Sequence, residues 1–358
     1  MTVRGELILQ RLLGQLSAEH AQELHLIPGN PPVFRHNGEL EPVKGEEALS
    51  EEFVLSLSKE YMTSEQGVIL EKNREVFFTR GISSLGRYRV RIYYQKGALS
   101  LNFRRVEQEV PVLSEIGVLS EVESIGNLNK GLILVSGPYD SGRSYFAASI
   151  LETINKERVV RIMTLEQSIE FIITPAKSII EQREVGRDVK SLAAGLRALS
   201  DEDVDVIFIS DVPNMEVAEL VVQLSLAGKL VITTTTSDSS VRAIESFVGF
   251  DGKDKARQIS DGLSDALAAV VNLRLVRNTG GHGRIYATEL LLSTFNMRIA
   301  IKELDFRRVE SVLYTAREQG MVTLDQNLLD LVNEGKISFK SALKVAHEVE
   351  WLNNQFGK

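Results

Sequence analysis

A strand that runs straight into a glycine-bracketed turn and then a helix constrains this chain more than any other feature. Leu132-Ile133-Leu134-Val135 is an apolar run closed by Ser136, and Gly137-Pro138-Tyr139-Asp140-Ser141-Gly142-Arg143-Ser144 follows at once. Glycine, four residues, glycine, a basic residue and serine is the spacing of a phosphate-binding loop. The glycines let backbone N–H groups curl round phosphate oxygens, and the following helix adds its positive end. The hydroxyl of Ser144 then falls where Mg²⁺ is held. A loop of this kind needs a strand buried on both faces in front of it. It therefore commits the chain to an α/β fold with a largely parallel sheet.

The flanking sequence agrees. Strands are expected at Leu132–Ser136, Val159–Thr164, Val204–Ser210 and Leu230–Thr235. Helices are expected at Ser144–Asn155, Lys190–Ser200 and Glu216–Leu226, with a mostly helical stretch from Phe295 to Phe356. Before the loop the texture differs. Leu9, Leu12, Leu13 and Leu16 recur at helical spacing. Val33 to His36 meets Asn37-Gly38, a hairpin signal. Tyr88, Val90, Ile92 and Tyr94 alternate with Arg87, Arg89, Arg91 and Tyr93, and Leu99, Leu101 and Phe103 lead to Arg104 and Arg105. That alternation gives a small α+β unit with an arginine-rich strand face, which is either a solvated surface or a working one.

Composition removes several function classes. With 358 residues, 41 basic and 49 acidic side chains and a net charge of −8, nucleic-acid gripping is disfavoured. Cys is 0, which excludes disulfides, thiol catalysis and cysteine zinc sites. No apolar stretch approaches the ~20 residues of a membrane span, and the N-terminus does not read as a signal peptide. A cytoplasmic protein is expected.

Two loop residues depart from the phosphate-loop pattern. Arg143 stands where lysine is expected, a planar fork in place of a compact point charge. Asp140 lies in mid-loop, where a carboxylate roughly 6 Å from phosphate charge costs about 3 kcal/mol at an effective dielectric near 20. An outward-turned side chain or Mg²⁺ relieves that cost.

Over nearly its whole length the chain resembles the PilT/PilU-type retraction ATPases of bacterial type IV pili. Glu23-Leu24-His25-Leu26 resembles that family's Asp-Leu-His-Leu, Gly86-Arg87-Tyr88-Arg89-Val90 its Arg-Phe-Arg-Val strand, and Phe103-Arg104 its Phe-Arg. Thr164-Leu165-Glu166-Gln167-Ser168-Ile169-Glu170-Phe171 resembles the acidic box Thr-Ile-Glu-Asp-Pro-Ile-Glu-Phe. Such a polar run after a strand has no evident packing reason. Gln182-Arg183-Glu184-Val185 and Arg187-Asp188 continue the match, as does Gly320-Met321-Val322-Thr323-Leu324-Asp325. The resemblance implies a PAS-like N-terminal α+β domain (1–106), a linker (107–129) with a hinge near Pro111, a RecA-like P-loop ATPase core (130–292) and a helical C-terminal region (293–358).

The resemblance further implies ATP and Mg²⁺ as cofactors. Gly137, Ser141, Gly142, Arg143 and Ser144 would bind nucleotide, with Ser144 on Mg²⁺ and Arg87, Arg89 and Arg104 reaching in from a neighbouring subunit. Glu166 would polarise the attacking water and Asp211 would act at the end of the Walker B strand. Implied partners are a homo-hexamer or a mixed assembly with a PilT-like motor, and a type IV pilus inner-membrane platform protein. The implied location is cytoplasmic, peripheral at the pilus base, with no nucleic acid.

Several positions depart from the family. Asp211 replaces the Glu that ends Walker B and is one methylene shorter, and Asn214 replaces an Asp. Lys229 and Thr236 replace the two histidines of Gly-His-Leu-Val-Phe-Gly-Thr-Leu-His-Thr. In the C-terminal Ala-Ile-Arg-Asn-Leu-Ile-Arg-Glu helix, Arg298, Ile301 and Glu303 are retained. Three readings follow, of which an unrelated P-loop protein such as a nucleic-acid translocase is disfavoured by the net charge and by the length of the resemblance. In the other two the chain is a retraction-type ATPase with weakened hydrolysis, or a non-hydrolysing structural or regulatory partner of a competent motor.

Overall fold

The computed structural model describes residues 3–36, 39–82, 85–106, 109–249, 253–280 and 283–356. The chain divides into two units, Met1–Glu109 and Val110–Lys358.

In the first unit, α1 (Val3–Ala18), α2 (Glu51–Tyr61) and α3 (Ser64–Asn73) accompany an antiparallel sheet. Its strands are β1 (Glu23–Leu26), β2 (Val33–His36), β3 (Glu39–Pro42), β4 (Glu75–Gly81), β5 (Arg87–Gln95) and β6 (Ala98–Val106), in the order β3-β2-β1-β6-β5-β4. The alternation in β5 works as the sequence suggests. Tyr88, Val90 and Ile92 are fully buried and pack with Leu101 and Phe103 of β6 and with Leu9, Leu12, Leu13 and Leu16 of α1. Strands β2 and β3 pair antiparallel, while the Asn37-Gly38 turn expected to join them lies outside the described residues.

In the second unit a short helix, α4 (Ser120–Glu123), precedes β7 (Gly131–Gly137), α5 (Arg143–Glu157), β8 (Arg161–Glu166) and β9 (Ile179–Glu184). Next come α6 (Leu192–Ser200), β10 (Val206–Ile209), α7 (Met215–Leu226), β11 (Leu230–Thr236), α8 (Ser240–Val248), α9 (Lys253–Ala266), β12 (Leu267–Arg277) and β13 (Arg284–Leu292). The remainder is helical: α10 (Phe295–Lys302), α11 (Phe306–Thr315), α12 (Leu324–Asn333), α13 (Phe339–Leu343) and α14 (Val349–Gln355). The sheet order is β13-β12-β7-β11-β10-β8-β9, parallel throughout except for antiparallel β13 at the edge.

Strand β7 explains its own sequence. Leu132 and Leu134 enter one core with residues of α6 and α7, while Ile133 and Val135 enter another with Phe146 and Ile150 of α5. Both faces are covered, so period-two alternation gives no polar face and the run is continuously apolar. Strands β9, β12 and β13 lie outside the four strands expected for this part of the chain. Strand β8 begins later than the Val159 expected, because Val159 is exposed and pairing starts at Arg161 opposite Ile179. Leu113, Val122 and Ile125 pack into the α5 core, and the Leu113 N–H donates to Thr153.

Candidate functional site

In a parallel sheet, ligands bind beyond the carboxyl ends of the strands. The loop after β7, Glu166 at the end of β8, Asp211 after β10 and Thr236 at the end of β11 all gather there.

The loop needs both of its glycines. Gly137 has φ of +154° and Gly142 φ of +81°. A Cβ on Gly137 would lie 2.3 Å from Ser141 Oγ and 2.8 Å from the Leu273 carbonyl oxygen. A Cβ on Gly142 would lie 2.5 Å from the Tyr286 hydroxyl, which donates to the Gly142 carbonyl at 3.0 Å. Ser141 Oγ is buried and has no hydrogen-bond partner among the described residues. A buried hydroxyl without a partner is costly unless something else engages it. Helix α5 opens directly after Gly142, with Ser144 in its first turn.

The mid-loop acid is neutralised locally. Asp140 adopts φ of +62°, and its carboxylate pairs with Arg284 of β13 at 2.7 Å. The repulsion expected between Asp140 and phosphate is therefore offset by a cation fixed beside it.

Arg143 turns toward the end of β11, where Nη1 donates to Thr236 Oγ1 at 2.6 Å. Burial lowers its pKa, and the charges of Asp211 and Glu170 pull the other way. Partial desolvation raises the Asp211 carboxyl above its usual range, against the Val212 N–H and the Arg143 charge. Glu166 is buried and its pKa is pushed up to about 7, mainly by that burial. Thr164 Oγ1 donates to its carboxylate at 2.7 Å and Gln182 Nε2 at 3.2 Å, while Glu170 and Glu184 oppose ionisation. A cavity of about 30 Å³ lies between Glu166, Ser144, Ser210 and Gln182. That is room for a water molecule.

Three sequence readings change here. Gln182 and Glu184 have a local folding role: the Ile173 N–H donates to Gln182 and the Ile169 N–H to Glu184, which shapes the loop after Glu166. Asn214 caps α7 through the Val217 N–H, a task that Asp performs equally well. Lys229 is not at the site. It precedes β11, whose register runs from Leu230 opposite Gly131 to Thr236 opposite Gly137. At ~3.3 Å per residue it sits roughly 20 Å from the loop. There its ammonium donates to the Glu202 and Val204 carbonyls.

Arg87, Arg89 and Arg104 belong to the first unit. Arg89 and Arg104 are direct cross-strand neighbours, and like charges so placed are unfavourable. Glu23, opposite Arg104 on β1, relieves this. Burial pushes the Glu23 carboxyl up, but His25, Arg104 and Asn102 outweigh it and hold it below its usual range.

The sequence reading missed a polar cluster behind the loop. Asn272 Nδ2 donates to Ser136 at 2.9 Å, and buried Arg274 donates to Asn272, Leu273 and the Asp238 carbonyl and contacts His347. Two polar residues inside the apolar β12 run were the available signal. A separate cavity of about 640 Å³ among α11, α12 and α14 shares no lining residue with the loop. Among the described residues no group of three or more His, Cys, Asp or Glu could hold a metal unaided, and no helix is long and apolar enough to cross a membrane.

Comparison with known proteins gives a consistent result. Residues 112–344 match the family described as Type II/IV secretion system protein. The type IV pilus retraction ATPase PilT of Pseudomonas aeruginosa is 29% identical over 338 residues, covering 94% of this chain and 98% of PilT. PilU of the same organism is 28% identical over 334 residues, covering 93% of this chain and 87% of PilU. A crystal structure of the pilus retraction motor PilT with bound ADP superposes with a TM-score of 0.82 at 30% identity, covering 96% of this chain and 98% of that one.

Proposed function

Since the chain belongs to the type II/IV secretion system protein family and is homologous to PilT and PilU, we propose that it is a nucleotide-binding subunit of a type IV pilus retraction machinery. In this reading it binds ATP and hydrolyses it slowly. Two observations of the loop support a nucleotide fit. The glycine cradle has no room for Cβ atoms, and Ser141 Oγ is buried without a partner. The first is what a backbone curling round a phosphate requires, and the second leaves a buried hydroxyl for a ligand to engage.

Gly137, Ser141 and Gly142 would present the loop backbone to the phosphates, Arg143 would contribute positive charge, and Ser144 with Asp211 would supply oxygen ligands for Mg²⁺. An oxygen donor set of this size, completed by phosphates, suits Mg²⁺. When bound, Mg²⁺ neutralises charge on the transferring phosphoryl group. Glu166, half ionised near neutral pH, would orient water in the cavity beside it and accept its proton. The shorter carboxylate of Asp211 would slow the step, since catalysis is sensitive to about 1 Å of misplacement. Arg87, Arg89 and Arg104 would act across a subunit boundary, in a homo-hexamer or a mixed ring with a PilT-like motor on the pilus platform protein at the cytoplasmic side of the inner membrane.

The single observation that carries this reading is the intact cradle with its unpartnered serine. A second reading, a ring subunit that binds but does not hydrolyse, is favoured by one contact: Arg143 is tied to Thr236. The deciding experiment measures Mg-ATP binding and phosphate release by the wild type and by Arg143→Lys with Asp140→Gly. Binding with slow, steady phosphate release supports the first reading, and binding without release supports the second. No binding by either protein refutes both.

A further inference from the structure

Arg143 faces a choice of partners, and the one it takes is the neutral one. Asp211 and Glu170 are the anionic charges it senses. A guanidinium drawn fully onto either would neutralise a cation and an acid that the proposed chemistry needs separately. Yet among the described residues Arg143 forms no ion pair within 4.0 Å, and its side-chain hydrogen bond goes to the hydroxyl of Thr236. Thr236 is itself well anchored. It ends β11 opposite Gly137, and Thr234 of the same strand donates to the Ser210 carbonyl at 2.8 Å, tying β11 to the strand that leads to Asp211.

We infer that Thr236 is a positioning residue for Arg143: its hydroxyl holds one guanidinium nitrogen beside the phosphate loop and keeps the cation off Asp211, leaving the other N–H donors for phosphate. This rests on the nucleotide-binding reading above. Arginine carries five N–H donors, so one bond to Thr236 leaves most of the fork available. A hydroxyl is the right partner because it accepts without bringing charge. A carboxylate here would quench the arginine, and an imidazolium would repel it. Arg143 and Thr236 are thus matched to each other, although 93 residues separate them.

The test compares ADP and AMP binding to the full-length wild type, Thr236→Val, Thr236→Ser, Arg143→Lys and the Arg143→Lys/Thr236→Val double variant. Thr236 is exposed, so valine is accommodated there, and Trp351 fluorescence checks folding. Thr236→Val should weaken ADP binding about tenfold with little effect on AMP, because only the phosphate-loop contribution is lost. Thr236→Ser should restore ADP binding, and in the Arg143→Lys background Thr236→Val should change it less than twofold, roughly within the spread of independent sites. An unchanged ADP affinity in Thr236→Val overturns the inference. So does an equal loss of ADP and AMP, or the same loss in the Arg143→Lys background. A wild type that binds no ADP overturns the nucleotide reading and this role together, and is recognised from the wild-type arm alone.

Discussion

Replacing Glu166 by glutamine should stabilise the second unit at alkaline pH and leave it nearly unchanged in acid. The carboxyl of Glu166 is held at about 7 against an ordinary value of 4.5. Near pH 4 both folded and unfolded chains carry the proton, and the site costs nothing. Between about 4.5 and about 7 the unfolded chain releases it while the folded chain keeps it, so stability falls as pH rises. Above about 7 the full cost is in place, on the order of 3 kcal/mol at ~1.36 kcal/mol per pH unit. Glutamine keeps the shape, still accepts from Thr164, and carries no charge to desolvate. Trp351 is the single tryptophan and lies in the same unit as Glu166, so its fluorescence reports that unit's unfolding in urea. Glu166→Gln should gain about 2–3 kcal/mol at pH 8 and much less at pH 5, while phosphate release falls. An equal shift at both pH values, or a loss at pH 8, would refute the assignment of a buried, reluctant carboxylate.

Arg284→Ala should weaken ADP binding about tenfold by exposing the Asp140 carboxylate, and adding Asp140→Gly should restore it, with under about 1 kcal/mol of stability at stake in so exposed a pair. If Arg284→Ala binds ADP normally, Asp140 does not face phosphate. Gly142→Ala should cost the second unit about 2–3 kcal/mol in urea unfolding, combining left-handed strain with the clash against Tyr286. A neutral result would mean the loop relaxes freely. Lys229→His should leave ADP binding within twofold, because the residue lies at the opposite end of β11, while losing about 1 kcal/mol from its two carbonyl bonds. A large binding defect would place that end of the strand in communication with the loop.

The parts of this fold legible in the sequence are those fixed by local rules. Continuous apolar runs marked β7, β10 and β11, alternation marked β5, and glycine spacing marked the loop, because each follows from backbone geometry within ten residues. The Asn214 cap was equally local and could have been read from its place before α7. The position of Lys229 was legible too: counting along a parallel strand separates its two ends by the strand length. Strand β12, between β13 and β7, was harder, since buried Asn272 and Arg274 break the apolar pattern, and their partners Ser136, Asp238 and His347 are distant in sequence.

What sequence could not supply is the pairing of the altered residues, and that pairing bears on how the site came to differ. Taken singly, Asp140 is a misplaced charge, Arg143 an oversized lysine and Thr236 a lost histidine. In the folded chain Asp140 meets Arg284, 144 residues away, and Arg143 meets Thr236. A site drifting without function is expected to leave altered charges unpaired, because nothing selects a second change to compensate the first. Here the loop acid has a cation, the loop cation has a neutral acceptor, and Ser141, one of several buried side chains with an unpartnered polar atom among the described residues, sits in the cradle. Such compensation is expected where phosphate binding is still under selection. It favours a site rebuilt around nucleotide over one abandoned by it, and on the proposed reading any slowing of hydrolysis is expected to trace to Asp211, whose carboxylate is a methylene shorter than glutamate's.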